Sequence, residues 1–115
     1  MISTHVLDTS RGVPAVGVRI LLERMESSRA TAAGREISRT ATDADGRVRE
    51  LVPEGEAPGA GRYRLTFDTS SYYGTLGIET FYPFVVVAFE VRDAAQHHHV
   101  PLLLSPFGYS TYRGS

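Results

Sequence analysis

Apolar and polar residues alternate along most of the chain, which is the pattern of β-strands that place one face on a core. The alternation is clearest in VGVRILLE, residues 16–23, and in GRYRLTFD, residues 61–68. The residues predicted to face the core are Val16, Val18, Ile20 and Leu22 in the first strand and Tyr63, Leu65 and Phe67 in the second.

The run from Phe84 to Val91 is apolar on both of its faces. Val85, Val87, Phe89 and Val91 form one face, and Phe84, Val86 and Ala88 form the other. Such a strand is expected to be covered on both sides. Either a second copy of the chain covers the additional face, or the short helix or a loop of the same chain does, and the pattern favours neither.

Turn-forming residues separate these runs at SRGVP, at DADGR and at VPEGEAPGAG, and Asp45-Gly46 is typical of a hairpin turn. Residues 27–36 predict a mobile loop to which no function is assigned. Residues 69–77 predict the single helical turn, capped by Ser70 or Ser71. The pattern therefore predicts an all-β, two-sheet sandwich of seven or eight strands in one domain spanning residues 1–115.

Composition restricts the chemistry more than it restricts the fold. The formal charge is −1, which gives no reason to expect nucleic acid or an anionic membrane as a partner. There is no cysteine, and all 12 basic residues are arginines, so a thiolate nucleophile and a lysine Schiff base are both excluded. No basic head followed by an apolar segment begins the chain, and no run approaches the roughly 18 apolar residues of a membrane span. A cytoplasmic protein is expected.

Three of the four histidines are adjacent, in QHHHVPLLLS. Strand alternation predicts His98 on the core face with Val100, and His97 and His99 on the opposite face. The pattern offers no clear third ligand beside His97 and His99, so no metal site is expected. The other polar candidates, which singly read as ordinary surface or terminal residues, are His5 in the first strand, Arg47 after the Asp-Gly turn, and Arg113 and Ser115 in the closing segment.

Taken together, STHVLDTSRGVPA at residues 3–15, DGR at 45–47 and HVPLLLSPFGYSTYRGS at 99–115 resemble the 5-hydroxyisourate hydrolases, the transthyretin-related enzymes of purine and urate breakdown. The resemblance covers essentially the whole chain. It implies a transthyretin-like sandwich of about eight strands with one short helix, assembled as a homotetramer, a dimer of dimers. In such an assembly the closing residues are fixed at the subunit interface and line the active site.

The resemblance also implies residue roles and a reaction. Where relatives commonly have His-Tyr-His, this chain has His97-His98-His99, and the spacing to the final motif selects His99. The implied catalytic residues are His5, Arg47 and His99, and the implied substrate-binding residues are Tyr112, Arg113, Gly114 and Ser115. The implied reaction is hydrolysis of 5-hydroxyisourate to 2-oxo-4-hydroxy-4-carboxy-5-ureidoimidazoline, by water attack with a neutral imidazole as base and Arg47 stabilising the oxyanion, without metal or organic cofactor. The alternative is a transthyretin-like carrier of a small ligand, which performs no catalysis.

Overall fold

The computed structural model describes residues 1–27 and 29–115. Within them, nine strands form two sheets, and there is one short helix. The strands are β1 (Ile2–Asp8), β2 (Val13–Pro14), β3 (Arg19–Met25), β4 (Gly34–Ala41), β5 (Arg47–Val48), β6 (Gly61–Phe67), β7 (Val85–Val91), β8 (His98–Ser105) and β9 (Gly108–Thr111), and the helix is α1 (Thr69–Thr75). One sheet has the order β2-β1-β8-β9, with β5 also paired to β1, and the other has the order β4-β3-β6-β7. The predicted all-β sandwich with one short helix is confirmed.

The core lies between the two sheets, because strands of both contribute its buried apolar side chains. The first sheet supplies Val6 and Leu102, and the second supplies Leu22, Leu65 and Phe67. All of these are fully buried, as the two-residue alternation predicts. His98 is also buried and pairs with Ile2 at the start of β8, so the alternation predicted for this strand is confirmed.

Three local predictions are wrong. Val16 is 53% exposed, because Gly17 takes a φ of 78° and breaks the alternation before β3 begins at Arg19. Helix α1 is capped by Asp68, whose side chain accepts a hydrogen bond from the backbone N–H of Ser71, rather than by Ser70 or Ser71. The loop predicted over residues 27–36 is shorter, since β4 begins at Gly34; position 28 lies outside the described residues.

The outer face of β7 is uncovered within the chain. Phe84, just before the strand, is 54% exposed and Val86 is 41% exposed, while Val85, Val87 and Val91 are buried. Among the described residues, the helix and the loops leave Phe84 and Val86 exposed, so cover of this part of the face by the chain itself is wrong, and cover by a second copy stays a prediction. β7 and β9 each form one edge of their sheet.

A buried carboxylate joins β1 to the helix. Asp8 is fully buried and accepts hydrogen bonds from the hydroxyls of Tyr72 at 2.9 Å, Tyr73 at 3.1 Å and Ser10 at 2.6 Å. Burial alone raises the pKa of Asp8, but the hydrogen bonds from Ser10, Tyr72 and Tyr73 outweigh it and hold the pKa below its ordinary value. Within the described residues, no helix is long and apolar enough to cross a membrane.

Candidate active site

The outer face of the five-stranded sheet carries the candidate residues. β1 and β8 run parallel and pair Ser3 with His99 and His5 with Pro101, while β5 runs antiparallel to β1 and pairs His5 with Arg47. Directly paired residues project from the same face of a sheet. β1 thus lies between the two strands that supply Arg47 and His99, and the three side chains converge from positions far apart in the sequence.

The Asp-Gly turn places Arg47 beside β1. The carboxylate of Asp43 accepts hydrogen bonds from the backbone N–H of Asp45 at 2.8 Å and of Arg47 at 3.0 Å. Gly46 has a φ of 74°, its carbonyl accepts from the N–H of Val6 at 2.8 Å, and a Cβ at this position would lie 2.6 Å from the Val6 carbonyl oxygen. The turn therefore connects β4 in one sheet to β5 in the other, and only glycine fits against β1.

A serine hydroxyl holds the imidazole of His99. Ser3 Oγ lies 2.8 Å from His99 Nδ1 and 2.7 Å from His97 Nε2. The rings of His97 and His99 have their centroids 6.2 Å apart, so these two histidines share a face as the alternation predicts. The part of the chain that the structure describes contains no group of three or more metal-binding side chains.

The closing residues divide between two places. The N–H of Gly114 donates to the carbonyl of His99 at 2.8 Å, which brings Ser115 into the same cavity as Arg47 and His99. Arg113 donates to Gln96 Oε1 at 3.3 Å. Arg113 and the exposed Tyr112 line a separate cavity of about 300 Å³ at the open edge beside β7. Within one chain, Ser115 thus lines the cavity that contains Arg47 and His97, whereas Tyr112 and Arg113 line the edge cavity, which His98 and His99 also line.

The candidate active site is a cavity of about 160 Å³. Its lining residues are Ser3, Thr4, Arg47, Val48, Arg49, His97, His99 and Ser115. His5 does not line this cavity, but it lies beside Arg47 on the same face of the sheet. A larger cavity of about 450 Å³ lies on the other sheet; its lining includes Arg19, Arg39 and Phe84 but no histidine.

The environment of both histidines favours their neutral forms. Burial lowers the pKa of His99 below its ordinary value, and the positive charges of Arg47, His97 and His5 lower it further. Burial and Arg47 lower the pKa of His5 in the same way, against a smaller opposing effect of its hydrogen bond to the backbone of Asp45. A neutral imidazole can remove a proton from water, and a fixed guanidinium beside it can stabilise an oxyanion.

Sequence reasoning gave no role to four polar residues that line this cavity: Ser3, Thr4, Arg49 and His97. Alternation placed His97 beside His99 but gave it no role, and Ser3 drew no attention within STHVLD. The role of Ser3 depends on the parallel pairing of β1 with β8, which joins residues separated by 96 positions. The only local indication of this role in the sequence is that Ser3 carries a hydroxyl two residues before His5 and therefore lies on the same face of the strand.

The chain is similar to known proteins in both sequence and fold. A family model described as the HIUase/Transthyretin family matches residues 2–114. A probable 5-hydroxyisourate hydrolase of Caenorhabditis elegans is 49% identical over 99% of this chain and 81% of its own length. The structure of Klebsiella pneumoniae 5-hydroxyisourate hydrolase is 35% identical and matches with a TM-score of 0.83 over 99% of this chain and 92% of that one. Sea bream transthyretin in complex with thyroxine, at 32% identity, matches with a TM-score of 0.85 over 98% and 93% of the two chains.

Proposed function

The chain belongs to the HIUase/Transthyretin family, and from this premise we propose that it is a hydrolase of purine and urate breakdown that converts 5-hydroxyisourate to 2-oxo-4-hydroxy-4-carboxy-5-ureidoimidazoline. The observation that carries the proposal is the convergence of His5, Arg47 and His99 on one face of the five-stranded sheet. Curated relatives with this activity in their names match nearly the whole chain.

The reaction opens a six-membered ring at an amide-like C–N bond by adding water to its carbonyl carbon. Water is a weak nucleophile near neutral pH, and a neutral imidazole that removes its proton typically contributes about 10²- to 10⁴-fold in rate. The lowered pKa values of His5 and His99 keep both imidazoles in the form that can accept a proton. The accepted proton then passes to the leaving ring nitrogen as the C–N bond breaks.

Arg47 stabilises the negative charge that develops on the attacked carbonyl oxygen. A guanidinium stays charged throughout the cycle, so it needs no change of protonation state in order to act. Arg49 lines the same cavity and adds to its positive potential. Ser115 and its neighbours in the closing segment contact the ring edge of the substrate and reduce access of bulk water.

The working form in this proposal is a homotetramer, a dimer of dimers. The exposed apolar residues Phe84 and Val86 and the open edges at β7 and β9 support assembly, because uncovered apolar faces and open sheet edges favour pairing between chains. Tyr112 and Arg113 lie beside the β7 edge, where a neighbouring chain would bring them into an intersubunit cleft. A cytoplasmic location stays a prediction from the sequence.

The alternative function, a carrier of a small ligand, is favoured only by the match to transthyretin with thyroxine. Two arginines and two histidines line the cavity. This lining is polar and does not match an apolar ligand. The test is the loss of absorbance of freshly prepared 5-hydroxyisourate with and without the protein, with the spontaneous decay subtracted. A carrier would leave the decay rate unchanged, and that result would refute the proposal.

Single substitutions test the residue roles. His99→Ala and Arg47→Ala should each reduce turnover at least about a hundredfold, which corresponds to about 2.7 kcal/mol in the activation barrier, while the protein remains folded. Arg39→Ala, on the opposite sheet, is the matched control and should keep full activity. Near-normal turnover in either site variant removes that residue from the mechanism.

A further inference from the structure

The hydroxyl of Ser3 lies between two imidazoles. Its oxygen is within hydrogen-bond distance of His99 Nδ1, at 2.8 Å, and of His97 Nε2, at 2.7 Å. Ser3 is only 5% exposed, so solvent does not readily replace either partner. A serine hydroxyl has one hydrogen to donate and two lone pairs with which to accept. Among the described residues, the hydroxyl has no hydrogen-bond partner besides these two ring nitrogens, so its hydrogen must go to one of them. Ser3 therefore donates to one imidazole and accepts from the other, and this couples the tautomers of the two histidines.

Two arrangements satisfy this geometry. In the first, His99 carries its hydrogen on Nδ1 and donates it to Ser3, and Ser3 donates to Nε2 of His97. In the second, Nε2 of His97 donates to Ser3, Ser3 donates to Nδ1 of His99, and the hydrogen of His99 lies on its Nε2. Only in the first arrangement does His99 have a free lone pair, on Nε2, that can accept a proton from water.

We propose that Ser3 and His97 are positioning residues that hold His99 in the Nδ1–H tautomer, so that Nε2 of His99 is the general base. The assignment of His99 as a base depends on the proposed function. In the catalytic step a water proton passes to Nε2 while the water oxygen bonds to the substrate carbonyl carbon. The same proton then passes to the leaving nitrogen as the C–N bond breaks, and His99 returns to its neutral form.

The surrounding charges are compatible with this assignment. Arg47 and Arg49 line the same cavity, and His5 lies next to Arg47. Their positive charges oppose full protonation of His99, but they do not determine which of its nitrogens carries the single hydrogen. Glu50, shortly after β5, accepts hydrogen bonds from the backbone N–H of Ile2 at 3.0 Å and of Val52 at 3.1 Å, so it is already engaged. Ser3 is the only side chain hydrogen-bonded to an imidazole nitrogen of His99 among the described residues.

The first test is the tautomer itself, read from the ¹⁵N chemical shifts of the imidazoles in the labelled full chain above pH 7. The expected spectrum shows His99 protonated on Nδ1 in the wild type and in Ser3→Thr, which keeps the hydroxyl. It shows a mixture of tautomers in Ser3→Ala. A wild-type His99 protonated on Nε2 overturns the proposal, whatever the activity of the protein.

The second test is kinetic. Ser3→Ala should lower kcat about 10- to 100-fold, the range typical of residues that orient a functional histidine, with KM changed by less than about threefold. Ser3→Thr should restore kcat. Ser38→Ala is the matched control, because Ser38 is also a strand serine that donates one hydrogen bond, to the carbonyl of Leu51, and it lies in β4 of the other sheet with no hydrogen bond to a histidine among the described residues. Full kcat in Ser3→Ala contradicts the positioning role.

His97→Phe provides a variant at an exposed position, which should fold even if Ser3→Ala does not. Removing the acceptor for Ser3 should favour the inactive tautomer of His99 and lower kcat at all pH values. If the wild type does not accelerate decay of 5-hydroxyisourate, the proposed function fails, while the ¹⁵N spectrum still decides whether Ser3 and His97 set the tautomer of His99.

Discussion

The close approach of Gly114 to His99 gives the most direct test of the site geometry. A Cβ added at Gly114 would lie 2.4 Å from His99 Cδ2 and 3.2 Å from both His99 Cγ and Pro101 Cγ. Non-bonded carbons normally approach to about 3.5–4.0 Å, so the imidazole or the closing segment must move by about 1 Å in Gly114→Ala. The φ of Gly114 is not positive, so the backbone itself accepts alanine and the clash is the dominant effect.

A displacement of this size at a reacting group can cost about 100-fold in rate, which corresponds to about 2.7 kcal/mol in the activation barrier. We expect Gly114→Ala to lower kcat by about this factor, because either His99 leaves its hydrogen bond to Ser3 or Ser115 leaves the cavity. The assay is the initial rate of 5-hydroxyisourate loss, with spontaneous decay subtracted and thermal melting measured in parallel.

Gly74→Ala is the matched control. Gly74 lies in helix α1, and a Cβ there meets nothing within 4 Å. Alanine in a helix is more favourable than glycine by about 0.5–1 kcal/mol, so this variant should melt at the same temperature or higher and keep full activity. If Gly114→Ala retains a kcat within about threefold of the wild type, the packing of the tail on His99 is not needed for catalysis, and the reasoning is refuted.

Three further predictions follow from the same structure. Asp8→Ala should reduce the free energy of unfolding in urea by about 3 kcal/mol, because two buried tyrosine hydroxyls lose their acceptor. Since the pKa of Asp8 is lowered in the folded protein, its stabilising effect is present above pH 3.8 and is lost as the pH falls through the lower pKa of the folded state. A variant with unchanged stability at pH 7 contradicts the prediction. The acid limb of the pH profile of kcat/KM should have its midpoint below pH 6.5, because the pKa values of His5 and His99 are lowered by burial and by Arg47. In Arg47→Gln, the residual activity should show a higher midpoint. An unchanged midpoint argues against electrostatic contact between Arg47 and the two histidines. Val86→Glu should weaken assembly in sedimentation velocity by placing a charge on the exposed face of β7, and an unchanged sedimentation coefficient would exclude this face from the interface.

The sequence pattern predicted individual strands better than it predicted how they meet. Alternation assigned Tyr63, Leu65 and Phe67 to the core correctly, because a regular strand repeats every two residues. It failed at Val16, where the positive φ of Gly17 interrupts the strand, and a glycine gives no indication of its φ from the pattern alone. The helix cap was misplaced by two or three residues, since Asp68 competes with the serines that follow it.

The candidate site was predictable only in part. The outward direction of His99 followed from β8, and the turn before Arg47 followed from Asp45-Gly46. The contact between Ser3 and His99 did not follow, because nothing in either segment specifies a parallel partner almost a whole chain away. The division of the closing residues between two cavities was equally hidden, since it depends on where the Gly114 N–H meets the His99 carbonyl.

The parallel pairing of β1 with β8 also has a consequence for biosynthesis. Ser3 is synthesised 96 positions before His99, so a nascent chain cannot pair the two residues until His99 has left the ribosome. Contacts of such long sequence separation are entropically costly to close and usually form late in folding. Recovery of catalytic activity during refolding should therefore report completion of the native topology, later than any signal from the locally formed β8–β9 pair.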